Sequence, residues 1–368
     1  LLLLTNRLAK NNDFLSRKIL KRPVHGGNLA WAAALVGCSP SAILDFSASI
    51  SPLGPPRSAI ESIQNNLDLL KAYPDPEYGD LRSALSDFHQ ISPDWILPGN
   101  GAAELLTWAC WDLATLETTW VLTPGFSDYF RALKAFGAQI DRSSLMSQSG
   151  LTTLPLDAQR SGLLLNNPHN PTGQLFSKES ILPYLKAFSL VVVDEAFMDF
   201  LTPDCQQSLI DEVENYPNLV ILRSLTKFYS LPGLRLGYAI AHPDRLSQWQ
   251  QRRDPWSVNV LASVAAIAML KDTEFQQQTW SWLESAKPLL FSGLKQLPEL
   301  HPFSSAANFF LVKTERSSVD IQKQLLADHQ VLIRDCLSFD ELGDRYFRIA
   351  VRSESENNRL LEGLTNVL

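Results

Sequence analysis

The sequence predicts an α/β fold, with a mostly parallel central sheet in a large unit and a smaller α+β unit beside it. Three observations lead there. From about residue 95 to 240, short apolar runs alternate with helix-length amphipathic stretches. The runs are continuously apolar, as strands buried on both faces are. After about residue 245 the texture changes to long helical stretches with isolated strand-like runs.

The strands are expected at Trp120–Thr123, Gly162–Leu165, Leu190–Val193, Leu219–Leu222 and Gly237–Ile240. Helix-length segments such as Ser127–Phe136 and Ser177–Phe188 lie between them. Strand–helix alternation of this kind gives a parallel sheet. Ligands of such sheets sit at the carboxyl ends of the strands. The polar motifs fall there: Pro124-Gly125-Phe126, Asn166 to Gly173, Asp194-Glu195 and Ser224 to Lys227. Further on, 257–297 reads as one long helical region. Strand-like Asn308–Val312, a helix near 318–328, strand-like Val331–Ile333 and Tyr346–Val351, and a final helix from Glu354 follow. The domain reading is an N-terminal arm at 1–24, a segment at 25–70 joining the small unit or a partner subunit, a large unit at 71–250 and a small unit at 251–368.

The chain has 368 residues, enough for two domains. A net charge of -7 argues against nucleic acid as a partner. Cys38, Cys110, Cys205 and Cys336 are scattered without metal-ligand spacing, so no metal site is expected. They read as small hydrophobes in a reducing compartment, and the cytoplasm is the expected location. The apolar stretch Val258–Leu270 is too short to span a bilayer. The basic, Leu-rich start reads as a frayed arm, with an organelle-targeting remnant as the alternative.

The most informative segment is Ser224-Leu-Thr-Lys227-Phe-Tyr-Ser-Leu-Pro-Gly-Leu-Arg235-Leu-Gly237. Desolvation and a neighbouring cation lower a lysine pKa, which makes Lys227 a candidate amine nucleophile toward a carbonyl. Ser224 and Arg235 suit a phosphate. A carbonyl compound with a phosphate, held by a Lys, points to pyridoxal 5'-phosphate (PLP). Such a cofactor also needs an anion at its ring nitrogen, donors for its phosphate and an aromatic face. Asp194 emerges after an apolar strand and supplies the anion; its competing reading is a helix cap. Asn170, in Asn166-Asn-Pro-His-Asn-Pro-Thr-Gly173, sits in a rigid turn and can donate to the phenolic oxygen. Gly99-Asn-Gly-Ala102-Ala103-Glu104 precedes a helix at Leu105–Leu113, whose start would offer N–H groups to phosphate. Phe126 would stack on the ring or serve as a core residue.

These motifs, in this order, resemble the aspartate-aminotransferase, or fold-type-I, superfamily of PLP enzymes, from about residue 25 onward. The resemblance implies that Lys227 bonds the cofactor and Asp194 faces the pyridinium. It implies that Asn170 meets the phenolic oxygen, and that Ser224, Arg235 and the N–H groups of Ala102 and Ala103 hold the phosphate. Tyr73 is similar to a Tyr that reaches the other subunit's cofactor phosphate, which implies a homodimer with shared sites. Arg348 matches an Arg that grips the substrate carboxylate.

His25-Gly26-Gly-Asn, Asp45-Phe-Ser-Ala-Ser49-Ile-Ser51-Pro-Leu-Gly54, Pro255-Trp-Ser-Val-Asn259 and Arg345-Tyr-Phe-Arg348-Ile-Ala-Val-Arg352 narrow the resemblance to the L-threonine-O-3-phosphate decarboxylases, relatives of the histidinol-phosphate aminotransferases. This implies decarboxylation of L-threonine O-3-phosphate to (R)-1-amino-2-propanol O-2-phosphate in cobalamin biosynthesis, with His25, Gly26, Ser49, Asn170, Arg334 and Arg348 at the substrate. The alternatives are a histidinol-phosphate-type aminotransferase and a decarboxylase preferring serine O-phosphate. Ordinary ion pairs remain the other reading of the two arginines. The decarboxylase pattern has Asn where Ser49 and Ser51 stand, which leaves open a shifted substrate, a bridging water or a different phosphate ester. Phe197 lacks the hydroxyl that many aminotransferases carry there.

Overall fold

The computed structural model describes residues 22–146 and 150–368. Most of the expected N-terminal arm, residues 1–21, lies outside the described residues. In chain order the strands are β1 (Leu44–Asp45), β2 (Ile96–Asn100), β3 (Thr118–Thr123), β4 (Ile140–Ser144), β5 (Ala158–Asn166), β6 (Phe188–Asp194), β7 (Leu219–Ser224), β8 (Leu236–Ala241), β9 (Leu300–Pro302), β10 (Phe309–Thr314), β11 (Val331–Leu332), β12 (Arg334–Asp335) and β13 (Tyr346–Ala350).

Seven of them form the large sheet, in the order β2-β8-β7-β6-β5-β3-β4. Every pairing among β3, β4, β5, β6 and β7 is parallel. Only β8 runs the other way, antiparallel to both β7 and β2. The central strands bury both faces, as their continuous apolar runs require. Leu163, Leu165, Val191, Val193 and Ile221 face one core, and Leu164, Val192, Val220 and Leu222 face the other.

The five apolar runs all become strands of this sheet. The two edges, β2 and β4, carry no such run. β4 reads Ile-Asp-Arg-Ser-Ser, and β2 contains Pro98. An edge strand leaves one side of its ladder free, so it tolerates proline and polar residues.

The long helical region is two helices, Val260–Leu270 and Thr273–Lys295. The break is made by Asp272, whose carboxylate caps the second helix at Phe275 N, 3.0 Å away. The last helix, Glu354–Val367, opens on a reciprocal Ser353–Glu356 capping box.

The small sheet is antiparallel, ordered β12-β13-β10-β9. The expected single strand at Val331–Ile333 is divided: β11 pairs with β1, while β12 pairs with β13. Ile333 gives its carbonyl to Gln322 instead, at 2.7 Å. The parallel β1–β11 pair brings the N-terminal segment onto the C-terminal part of the chain. Ala350 N then donates to Phe46 O at 2.9 Å, which carries residues 46–51 across the mouth of the large sheet.

Candidate active site

Three strands of the large sheet end on polar residues at one edge: β5 on Asn166, β6 on Asp194 and β7 on Ser224. These carboxyl ends open into a cavity of ≈ 340 Å³. Of the site residues expected from the sequence, Lys227, Asp194, Ala102, Ala103, Phe126, Asn170, Ser224, Arg235, His25, Gly26, Ser49, Arg334 and Arg348 all line it. Tyr73 does not. It is 78% exposed and stacks on Trp256 with ring centroids 4.5 Å apart.

At one end the cavity meets the helix Ala102–Leu113. The helix begins three residues earlier than its apolar pattern indicates, so Ala102 and Ala103 are its first-turn residues. Their N–H groups have no intrahelical acceptor by geometry. Glu104 Oε2 folds back to accept from Asn100 N at 2.5 Å. Gly101 adopts φ +75°, and a Cβ there would lie 2.5 Å from Arg235 Nη2. A Cβ on Gly237 would lie 2.5 Å from Ala102 N. The two glycines therefore let a guanidinium and a helix start converge. Ser224 Oγ and Thr226 Oγ1 stand 2.9 Å apart beside them. This cradle of donors with one cation fits a phosphate dianion.

Lys227 follows the strand on a one-turn helix, Leu225–Phe228, rather than ending the strand itself. The turn carries its side chain back over the strand ends. Its Nζ lies 4.7 Å from the Phe197 ring centroid. Burial lowers the ammonium pKa to about 8, with Arg348 and Arg235 adding to the effect and Asp194 opposing it. Near neutrality a usable fraction is free amine. Opposite it, Asp194 accepts from Tyr129 Oη at 2.6 Å and from Ala196 N at 3.0 Å. These bonds fix the carboxylate toward the cavity. Tyr129, on the helix Ser127–Ala135 three residues after Phe126, was not singled out by the sequence motifs. The helical spacing of three was the available signal.

At the other end stand Arg334 and Arg348. They are direct register partners across the antiparallel β12–β13 pair. Both are buried, at 5% and 8% exposure. Like charges directly opposite on one sheet face repel. Arg348 donates to neutral oxygens, Asn170 Oδ1 at 2.5 Å and Ser47 O at 3.2 Å, and its Nε has no partner among the described residues. Burial first, then Arg334, lowers its pKa to about 10. Arg334 donates to Val24 O and to Ser338 Oγ, and among the described residues only Asp335, 3.9 Å away, is a carboxylate partner. The ordinary ion-pair reading does not describe Arg348. Because Arg348 occupies Asn170 Oδ1, the amide presents Nδ2 as its remaining polar end.

His25 lies against Phe126, ring centroids 5.6 Å apart. Burial lowers its pKa, while Asp128 opposes this. Gly26 passes so close to Ser47 that a Cβ would fall 2.2 Å from its carbonyl oxygen. Ser49 Oγ is buried without a hydrogen-bond partner among the described residues and faces the cavity. Ser51 lies outside the cavity lining and turns its Oγ toward Leu53 N, 3.4 Å away. Behind the site, Arg223 is buried with Glu195 and Asp199 at 2.9 and 2.5 Å; of the three, the sequence motifs included only Glu195.

Fold and cavity together define a class: a mostly parallel α/β sheet whose strand ends hold a depressed-pKa lysine, a fixed carboxylate and an anion cradle. The chain belongs to the aminotransferase class I and II family, whose model matches residues 41–364. It is 40% identical to threonine-phosphate decarboxylase of Salmonella typhimurium, over 94% of this chain and 96% of that one. It is 30% identical to the adenosylcobalamin biosynthesis bifunctional protein CobDQ of Leptospira interrogans, over 94% of this chain and 41% of that longer protein. Among solved structures, the histidinol-phosphate aminotransferase from Clostridium acetobutylicum superposes with a TM-score of 0.82 at 30% identity, covering 88% of this chain and 99% of that one.

Proposed function

We propose that this chain is a PLP-dependent decarboxylase of an O-phosphorylated hydroxy-amino acid, L-threonine O-3-phosphate before serine O-phosphate. The observation that carries the reading is the buried Arg334–Arg348 register pair in the same cavity as Lys227. Two buried guanidiniums without a full set of counter-anions are costly until anions arrive. A phosphorylated amino acid brings two anionic groups at once. Similarity to the Salmonella threonine-phosphate decarboxylase supports this reading over a histidinol-phosphate aminotransferase. The name of the Leptospira relative supports placing the product in cobalamin biosynthesis.

The donor set fits PLP. Ala102 and Ala103 N–H, Ser224 and Arg235 would hold its phosphate, Asp194 would keep a proton at its ring nitrogen, and Asn170 Nδ2 would donate to its phenolic oxygen. Phe197 offers that oxygen no donor, which leaves the task to Asn170. Bound in this way, the cofactor supplies an electron-withdrawing ring that accepts the electron pair of the broken Cα–carboxylate bond. The protein residues do the rest. Lys227 would hold the cofactor carbonyl through its amine and, once the substrate amine displaces it, carry a proton to Cα. Arg348 would grip the carboxylate, with Arg334 and His25 on the phosphate. Gripping both ends aims one bond of Cα across the ring face, and that orientation selects the bond that breaks. Phe126 would cover the other face of the ring, and Ser49 Oγ would take a substrate oxygen.

The reading extends to a homodimer in which Tyr73 reaches the partner's cofactor phosphate; its exposed stack on Trp256 supports a role beyond its own cavity. The large unit would be 71–250 and the small one 251–368, with 25–70 bridging them. Among the described residues no helix is long and apolar enough to cross a membrane, and the proposed location is the cytoplasm.

The test is turnover by the PLP-loaded protein of threonine phosphate, serine phosphate and histidinol phosphate, each with and without a 2-oxo acid. Carbon dioxide release without oxo-acid consumption is the expected result with threonine phosphate. Glutamate formation from 2-oxoglutarate without carbon dioxide release would overturn it.

A further inference from the structure

The loop that follows Arg334 crosses from the small unit to the large one. Two of its residues contact the Arg334 guanidinium, alongside Val24 O and Asp335. Ser338 Oγ accepts from Arg334 Nη2 at 2.5 Å. Phe339, which lines the cavity, lies under the guanidinium with its ring centroid 5.8 Å away. The loop is itself anchored two residues later, at Glu341. The Glu341 carboxylate accepts from Thr123 Oγ1 and from Ser144 Oγ, both at 2.5 Å. These hydroxyls belong to the last residues of β3 and β4. Thr123 also begins the turn that delivers Phe126 to the cavity.

Backbone geometry gives a second, independent sign. Glu341 adopts φ +77°, a left-handed conformation that residues with a Cβ adopt at a steric cost. The position sits on the exposed side of the seam, so no buried packing demands a large side chain there. Beneath it, Met146 packs against the Leu311, Cys336, Phe339 and Leu342 cluster, closing the same seam with apolar contact. The neighbouring Arg142–Asp340 pair, 3.1 Å apart, is exposed on both sides and adds little.

We propose that Glu341 is a positioning residue for the substrate: by tying the Cys336–Leu342 loop to the ends of β3 and β4, it holds Ser338 and Phe339 where they aim Arg334 into the cavity. The inference rests on the reading of Arg334 as a ligand for a substrate anion. Its consequence is a link between the two units that acts on substrate affinity rather than on chemistry.

The experiment uses PLP-loaded wild type, E341G, E341Q and R142A. Glycine adopts the left-handed conformation without steric cost, so E341G is expected to fold, the relief of backbone strain offsetting part of the lost hydrogen bonding. Its KM for threonine phosphate rises about fivefold while kcat changes less than about twofold, because Glu341 reaches the substrate only through Ser338, Phe339 and Arg334 and a fraction of the lost bonding is passed on. E341Q keeps an acceptor and a donor for the two hydroxyls and restores KM to within about twofold. R142A behaves as wild type. Amide exchange of residues 338–342 in the substrate-free holoenzyme accelerates in E341G and not in E341Q. An E341G protein with unchanged KM, or with unchanged exchange at 338–342, would overturn the latch. If wild type releases no carbon dioxide from threonine phosphate, the functional reading fails, and the exchange measurement still decides whether Glu341 restrains the loop.

Discussion

The cavity has two cationic ends, and they are built on opposite principles. The Ala102–Arg235 end is made of backbone N–H groups at a helix start, two glycines that make room, and one guanidinium. The Arg334–Arg348 end is made of two like charges forced to be register partners on an antiparallel pair. Dipoles and N–H groups cost little to leave empty at a partly solvated helix start. Buried guanidiniums cost much more. The first end is therefore suited to a group that stays, and the second to groups that come and go, because its ligand relieves a repulsion each time it binds.

This contrast can be broken most directly at Arg348. R348M should lower kcat/KM for threonine phosphate by about 10²–10³-fold, the range for removing one partner of a desolvated charge pair. The ligand-free protein should nonetheless melt at the same or a higher temperature, because one of two repelling buried charges is gone. A clear drop in the ligand-free melting point would show that the arginines are structural rather than poised for a substrate.

G101A tests the other end. Its Cβ would sit 2.5 Å from Arg235 Nη2 at a φ of +75°. PLP affinity, measured by titrating the ligand-free protein, should weaken about tenfold or more. At saturating PLP the substrate KM should stay within about twofold. A rise in KM without loss of PLP affinity would mean that the two ends are not separate.

Lys227 lies between the ends, and its ionisation senses both. Its pKa is lowered from 10.5 to about 8, first by burial and then by Arg348 and Arg235. The rate at which the ligand-free protein takes up PLP, read from the visible absorbance of the lysine adduct, should rise with pH and reach half its plateau near pH 8. Because the folded value is the lower one, the folded chain binds fewer protons than the unfolded chain between about pH 8 and 10.5. Its stability contribution is present above that window and is lost as pH falls through it. R348M should move the uptake midpoint upward. An uptake midpoint near 10.5 in wild type would contradict the burial of the amine.

The smallest effect is expected at Tyr129, which touches neither end. Y129F removes the 2.6 Å bond to Asp194 and should lower kcat by about three- to tenfold with little change in KM.

The two ends also differ in how they could be read from the sequence. The proposed phosphate cradle is local: Gly101, Ala102 and Ala103 are consecutive, and Ser224, Lys227 and Arg235 share one motif. Its one error was the helix start, because Ala102 and Ala103 carry too little hydrophobic signal to mark the first turn. The proposed substrate end is not local. Arg334 and Arg348 are 14 positions apart, and their apolar flanks showed that each follows a strand. Their being register partners depended on how β12 and β13 align, and that register is set by the packing of the small sheet. Tyr129, Phe339 and Glu341 were invisible for the same reason, since each acts through contacts with residues distant in sequence. The polar edge strand β4 escaped because an edge needs no apolar run.

By itself the sequence determined the α/β class, through continuous apolar runs that only a sheet covered on both faces can bury. It also singled out the lysine and the carboxylate, because each lies just beyond or at the end of such a run, and the residues of the proposed phosphate cradle, because they sit together in two short motifs. Only the tertiary structure decided that Arg348 meets no carboxylate among the described residues, that Tyr73 stands outside its own cavity, and that Glu341 ties the loop behind Arg334 to the large sheet. The physical reason is common to all three. Charge balance, exposure and cross-unit hydrogen bonds are properties of what surrounds a side chain, and those surroundings come from segments that meet only when the chain has folded.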